Sequence, residues 1–415
     1  MQADMTRQAR KLLSAMLERI RVGSLVVVEN GQSSDYGHGG APAATVYVRS
    51  PRLWPMLLRG SRGLAESYVQ GLWDSPDLVA VIRLAARNVQ GFDRLRARLA
   101  PVRLPLQNAR ALLVRNTRQR SRQAIAAHYD LGNQLFSKML DGTMSYSCAV
   151  FERPGMTLEE AQLAKLERIC DKLDLGPSDR LLEIGTGWGG LAIHAARTRG
   201  CHVTTTTISR EQRDYALEQV RRAGLSDRVE ILLEDYRDLR GHYDKLVSVE
   251  MIEAVGWQHF GTFFAKCSSL LEPDGVMLLQ AITIDDRAYH VEKASRSFMN
   301  THIFPNGCLP SLEVIARCVA QHTDMQTVHM EDLTPHYVRT LQRWRERFLA
   351  NADELERIGY DRRFRRLWTL YLVYCEAGFA ERRICDVQMM FAKPLYRRLG
   401  EPQLRGVREN TRAVV

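Results

Sequence analysis

Between residues 179 and 281, short apolar runs alternate with amphipathic stretches of helical period. The runs at 179–184, 202–207, 228–233, 244–250 and 275–281 have the length and the Val, Ile, Leu and Thr content of strands. Between them, Leu191–Arg199, Arg210–Ala223 and Gln258–Leu271 repeat their apolar residues at helical spacing. Strands alternating with helices predict a parallel, doubly wound, Rossmann-like α/β sheet. After residue 285 the spacing predicts mostly helix, from Val291 through Phe391, lying beside the sheet as a lid. The amino-terminal part reads as a smaller α+β unit. A helix is expected over 1–22, strands at Ser24–Glu29 and Thr45–Arg49, a Gly-, Ser- and Pro-rich loop from Gly31 to Pro42, and helix from Arg62 to Asn88.

Ligands bind such sheets beyond the carboxyl ends of the strands. The unusual residues of this half fall there: Gly185–Gly189, Thr207–Gln212, Asp235–Tyr236 and Glu250–Glu253. The first follows an apolar strand that ends in Glu183 and leads through Gly185, Gly187, Trp188 and Gly189 into a helical pattern. Glycines at alternate positions let the backbone turn tightly and approach a ligand. Glu183 can bond a cation or a hydroxyl. Gly185, Gly187 and Gly190 also satisfy the G-x-G-x-x-G dinucleotide pattern, which wants an acid some 20 residues on for the ribose. The strand His202–Thr207 instead runs into Ile208, Ser209, Glu211 and Gln212. An acid before the glycines points to S-adenosylmethionine (SAM). A nucleotide site and a purely structural turn are the alternatives.

Composition adds a partner. The 415 residues carry a net charge of +10 and 8 cysteines, none in a C-x-x-C pair. Scattered cysteines are expected to be reduced thiols. No apolar run reaches the length of a membrane span, and Met1–Arg21 lacks a signal-peptide core. A cytoplasmic protein is expected. From Arg94 to Tyr129 there is no Asp or Glu, while arginines interleave with leucines and valines. Basic and apolar together suit an anionic membrane surface; a solvated linker is the alternative. Nucleic acid is a poor fit. No finger or aromatic RNP motif occurs, and Glu250-Met251-Ile252-Glu253 stands where base methylators carry an Asn/Asp-Pro-Pro-aromatic motif.

Further segments complete an ordered set: Ala127–Asn133 with His128, Met144–Cys148, Asp235–Leu239, His302–Ser311 and Cys375–Phe379. Together with Glu183–Gly189 they resemble the cyclopropane-fatty-acyl-phospholipid synthases and mycolic acid cyclopropane synthases, over about 121–392. Gly63–Asp74 is similar, more weakly, to the amino-terminal domain of the bacterial phospholipid enzymes. The resemblance implies a SAM-dependent methyltransferase sheet with a helical lid. Its expected division is an amino-terminal domain at 1–100, a basic linker at 101–124, a catalytic domain at 125–395 and a flexible tail at 396–415.

The resemblance also implies the chemistry. Methyl transfer to a cis double bond of a phospholipid acyl chain leaves a carbocation. A bound bicarbonate ion then removes a proton and the ring closes. By matching motif, SAM would be held by Tyr146 and Ser147, by Glu183 with Gly185, Gly187, Trp188 and Gly189, by Thr207, Ile208, Ser209 and Gln212, and by Asp235 and Tyr236. Bicarbonate would be held by Cys148, Glu253, Gln280, Ile282 and Tyr337. Cys375 matches the family's active-site cysteine; an alkene offers a thiolate no electrophile, so a pocket-wall role is implied. Two positions depart from the pattern. Typical synthases have a histidine at each of the positions held here by Ala254 and Gln280. Glutamine donates a hydrogen bond but carries no proton or positive charge. Weaker anion binding is expected, and related branches with these residues are thought to make methylene or methyl-branched chains instead of rings. The resemblance further implies an enzyme peripheral on the inner face of the cell membrane. Arg94–Arg122 is the candidate docking surface, and the amino-terminal domain is a candidate for building a homodimer.

Overall fold

Two sheets organise the chain in the computed structural model, which describes residues 2–88, 132–293, 297–305 and 307–397. The basic stretch 94–122, His128 and nearly all of the expected tail lie outside the described residues. The smaller sheet contains β1 (Gly23–Glu29), β2 (Gln32–Gly39), β3 (Ala43–Val48) and β4 (Trp73–Asp74), in the order β2-β1-β3-β4. β2 replaces the loop expected from Gly31 to Pro42. Asn30 and Gly31, with φ of 51° and 79°, close a two-residue hairpin that pairs β2 antiparallel to β1. Asn-Gly is a strong hairpin signal. The strand itself, Gln-Ser-Ser-Asp-Tyr-Gly-His-Gly, is almost wholly exposed and carries no apolar alternation. The helix expected from Arg62 to Asn88 is broken by β4 into Ser61–Val69 and a helical run over 78–88.

The larger sheet has β5 (Arg180–Ile184), β6 (His202–Thr207), β7 (Val229–Leu233), β8 (Tyr243–Val249), β9 (Leu271–Ile284), β10 (Gln326–Asp332) and β11 (Ile384–Ala392). Their order is β10-β11-β9-β8-β5-β6-β7. β5 to β9 pair in parallel, as the alternating pattern requires, and β11 pairs antiparallel with both β9 and β10. The last two strands interrupt the helix expected through Phe391. β11 is inserted between two strands and buried along most of its length, so its apolar run has no alternation and reads equally as a buried helix. β10 is a polar, largely exposed edge strand.

Helices Thr334–Ala350 and Arg362–Ala380 pack together and bury Trp344, Phe348, Trp368 and Phe379. The amino-terminal unit packs on the second of them. Arg366 donates to the Tyr68 and Trp73 carbonyls at 2.7 and 3.0 Å and stacks 3.9 Å above the Tyr68 ring. Arg83 and Arg87 pair with Glu381. One apolar cluster therefore runs from Trp54 and Trp73 through Phe298 to Trp368. No helix among the described residues is long and apolar enough to cross a membrane.

Candidate active site

The turn after β5 forms one end of a cavity of about 180 Å³ at the carboxyl edge of the sheet. Gly185 has φ of 106°, and a Cβ there would sit 3.3 Å from Met251. Gly189, with φ of 90°, caps the helix Gly190–Arg199. Both the twist of the turn and its close approach to Met251 call for glycine. Glu183 is buried and accepts a hydrogen bond from Thr205 Oγ1 at 2.6 Å. Burial pushes its carboxyl up to about 8, against the pull of that hydrogen bond and of Lys165.

The cavity gathers most of the residues expected to hold SAM. Tyr146, Ser147, Glu183, Gly185, Gly187 and Trp188 line one side, and Thr207, Ile208, Gln212, Asp235 and Tyr236 line another. Gly189 and Ser209 are not among the residues that line it. The Ser209 hydroxyl caps the helix Arg210–Arg222 by accepting the Gln212 N–H. Thr207 Oγ1 donates to Gln212 Oε1 at 2.9 Å, which fixes the amide. Asp235 is engaged bidentately by Arg237 at 2.8 and 2.7 Å. The Tyr236 hydroxyl is buried without a partner. An orphaned hydroxyl and a buried carboxyl that accepts a hydrogen bond from Thr205 fit a ligand rich in hydroxyl and cationic groups, as SAM is.

The other end of the cavity lies after β8, where Glu250 adopts φ of 48°. A non-glycine residue in this region is strained, and such strain collects at functional sites. Its carboxylate is wrapped by donors. The Cys148 backbone N–H and Gln280 Nε2 reach Oε1, each at 2.8 Å, and the Tyr337 hydroxyl reaches Oε2 at 2.5 Å. The amide of Gln280 is itself oriented. Lys172 Nζ donates to Gln388 Oε1 at 2.6 Å, and Gln388 Nε2 donates to Gln280 Oε1 at 3.0 Å. The Gln280 NH₂ is thereby turned toward Glu250 and also reaches Asp386 Oδ2 at 3.1 Å. Buried Lys165 lies near enough to favour the charged form of Glu250, while its ammonium donates to Ser147 Oγ at 2.9 Å.

Two more carboxyls crowd this end. Glu253 accepts the Ile282 N–H at 2.5 Å, and its other oxygen is buried without a partner. Burial, then the neighbouring Glu250, pushes Glu253 up to about 8. Burial and Glu250 likewise hold Asp386 well above the usual carboxyl range. Burial raises Glu250 too, but Tyr337, the Cys148 N–H, Lys165 and Gln280 all oppose the rise. Adjacent buried carboxyls do not all ionise. The donors favour the charge on Glu250, while burial and the neighbouring Glu250 favour the protonated forms of Glu253 and Asp386.

The family described as Mycolic acid cyclopropane synthetase matches residues 116–389. The chain belongs to this mycolic acid cyclopropane synthetase family. It is 42% identical over 328 residues to the tuberculostearic acid methyltransferase UfaA1 of Mycobacterium tuberculosis, covering 77% of this chain and 76% of the relative. It is 40% identical over 359 residues to the cyclopropane-fatty-acyl-phospholipid synthase of Escherichia coli, covering 86% and 89%. The crystal structure of mycolic acid cyclopropane synthase CmaA1 complexed with SAH and CTAB superposes with a TM-score of 0.61 at 30% identity, covering 66% of this chain and 98% of that one. The protein is accordingly an enzyme of the SAM-dependent methyltransferase type.

Family membership implies a bicarbonate ion, and the residues present do not fit one. Of the five groups expected to hold it, Cys148, Gln280 and Tyr337 hold the Glu250 carboxylate, and the Ile282 N–H holds Glu253. Neither cysteine is primed as a nucleophile. The Cys148 thiol is buried, donates to the Ala149 carbonyl at 3.3 Å, and is pushed far above the usual thiol range by burial. Cys375 is not among the residues lining the cavity, and burial pushes its thiol up to about 12. Sequence reading missed Lys165, Asp386 and the individual weight of Glu250. The available signals were a lysine on the apolar face of the helix Leu158–Leu173 and an aspartate inside the apolar run of β11.

Proposed function

We propose that the enzyme transfers a methyl group from SAM to a cis double bond in an acyl chain of a membrane phospholipid, and that the methyl carbon then closes a cyclopropane ring. One observation carries the reading: Glu183 and the glycine turn share a single cavity with Tyr146 and Glu250. A methyl donor and a proton acceptor would then face the same acyl segment. Bound there, SAM supplies an electrophilic methyl on a sulfonium. Glu183, Thr207 and Gln212 would hold its polar groups, and Tyr236 would flank its adenine.

An alkene is a weak nucleophile, so the chain must be held in near-attack geometry. Tyr146, Trp188 and Tyr236 line the cavity, and further aromatic side chains pack behind Tyr146. Tyr146 packs on Trp344 with ring centroids 5.1 Å apart, and its hydroxyl bonds that of Tyr371 at 2.6 Å. Tyr337 stacks on Phe379 at 4.2 Å. Such a wall excludes water and offers ring faces to a developing carbocation. The acceptor lies in a bilayer. We assign docking to the basic stretch Arg94–Arg122. Changing Arg115, Arg118, Arg120 and Arg122 to Glu should abolish co-sedimentation with anionic vesicles; unchanged binding refutes the assignment.

A second reading leaves a methylene or methyl branch and no ring. It is favoured by the similarity to the tuberculostearic acid methyltransferase and by Gln280 and Ala254. Expression in a host without cyclopropane lipids separates the two. The cyclopropane and methylene products each gain one CH₂, but proton NMR of the fatty acid methyl esters gives upfield ring protons for cyclopropane and vinylic protons for methylene; a saturated methyl branch carries two further hydrogens and is separated by mass. Lipids with no added carbon would refute both.

A further inference from the structure

We propose that Glu250 is the built-in base of this enzyme and stands in place of the bicarbonate ion. The inference rests on the acyl-lipid reading above and deepens it. Glu250 has what an anion site offers to an anion. Three donors from three separate segments converge on its two oxygens: the 148 loop, β9 and the helix Thr334–Ala350. Converging donors of this kind stabilise the ionised form. The carboxylate lines the same cavity as the glycine turn and Tyr146. Its backbone is held in the left-handed region, a conformation that the surrounding structure must maintain. Gln280 suits this arrangement. The Lys172–Gln388–Gln280 chain presents an NH₂ to the carboxylate, which needs a donor there and no proton carrier.

The step balances. The π electrons of the alkene form the new C–C bond to the methyl carbon, and the C–S bond electrons return to sulfur. The other alkene carbon becomes cationic. A C–H bond of the transferred methyl then breaks, its proton passes to a Glu250 oxygen, and its electron pair closes the third side of the ring. In the branch-forming alternative a hydride first shifts from the methyl-bearing carbon to the cationic carbon; the methyl then loses its proton, and the C–H electron pair forms the exocyclic double bond of a methylene. Glu250 is the acceptor in both. The proton is lost to water once product leaves the cavity. Glu253, favoured in its protonated form and lacking a second partner for its carboxyl, does not compete for it.

The test uses the full-length enzyme with vesicles of an unsaturated anionic phospholipid, in CO₂-free buffer with and without added bicarbonate. Native turnover is expected to be the same in both. Glu250→Gln keeps the shape and the hydrogen bonding but not the basicity. Turnover should fall by about 10²–10⁴-fold, the usual contribution of a general base, while SAM affinity by calorimetry stays native. Glu250→Gly combined with Gln280→His frees the donors and should become bicarbonate-dependent. Native enzyme that accelerates several-fold on bicarbonate overturns the proposal, and so does Glu250→Gln with native turnover. Both results leave lipid methylation standing. Native enzyme that binds SAM yet adds no carbon to the lipid refutes the acyl-lipid reading, and the proposal with it.

Discussion

The two ends of the cavity are built by different means. After β5 the backbone shapes the site within a few consecutive residues, through glycines whose φ angles and close approaches exclude other side chains. After β8 a single strained glutamate is held by side chains and amides drawn from positions 148, 280 and 337, with Gln388 and Lys172 behind them. The first end is a local motif and tolerates little. The second is an assembly in which one residue can change the chemistry without changing the fold. A carboxylate at position 250 occupies donors that would otherwise be open to a small anion.

The sharpest way to break this contrast is to damage each end separately. Glu250→Gln should reduce kcat by about 10²–10⁴-fold and leave the Kd for SAM within a few-fold. A parallel loss of SAM affinity would mean the ends are not separable. Gly185→Val should do the reverse. A branched side chain at φ of 106°, against Met251, should weaken SAM binding by about 10²-fold or more in calorimetry and lower the melting temperature. Native affinity in this variant would remove the backbone argument.

The pH dependence sharpens the comparison next. Glu183 is raised from an ordinary 4.5 to about 8, so in the ligand-free enzyme it carries a proton below that pH. A ligand that needs the carboxylate must first displace the proton. SAM affinity should therefore rise by about tenfold per pH unit toward 8 and level off above it, and Glu183→Gln should flatten the profile. Stability of the ligand-free protein moves the other way. The folded state holds more protons than the unfolded state between 4.5 and about 8, so this carboxyl's contribution is complete below 4.5 and lost as pH rises through about 8. Urea unfolding of the native protein and the Glu183→Gln variant across that window reads the difference.

The smallest effect is at Tyr337. Tyr337→Phe removes one donor to ionised Glu250, so the carboxyl should protonate at higher pH. The acid limb of the kcat profile should move to higher pH and turnover should fall on the acid side of that limb, with SAM affinity unchanged. An unmoved limb would mean that Tyr337 only fills space.

The glycine turn was legible in the sequence because a local backbone requirement leaves a local mark. Strands β5 to β8 were legible because each is a short run in a repeating pattern. β11 was not, since burial along most of its length erases the period that separates strand from helix. β2 was not, since an exposed edge needs no apolar face. At the acceptor end, Cys148, Glu253, Gln280, Ile282 and Tyr337 were all named from the resemblance, but their common object was not. Three of them meet on Glu250, which follows β8 directly and precedes the short helical turn Ile252–Ala254 that carries Glu253.

The sequence by itself determined the parallel α/β core, the methyl-donor turn and the membership of the acceptor cluster, since periodicity, glycine spacing and motif order are properties of the chain. Only the tertiary structure decided which group the cluster holds. Hydrogen-bond donors at positions 148, 280 and 337 have no sequence period in common, and their convergence on one carboxylate exists only after β8, β9, β11 and the helix Thr334–Ala350 have packed.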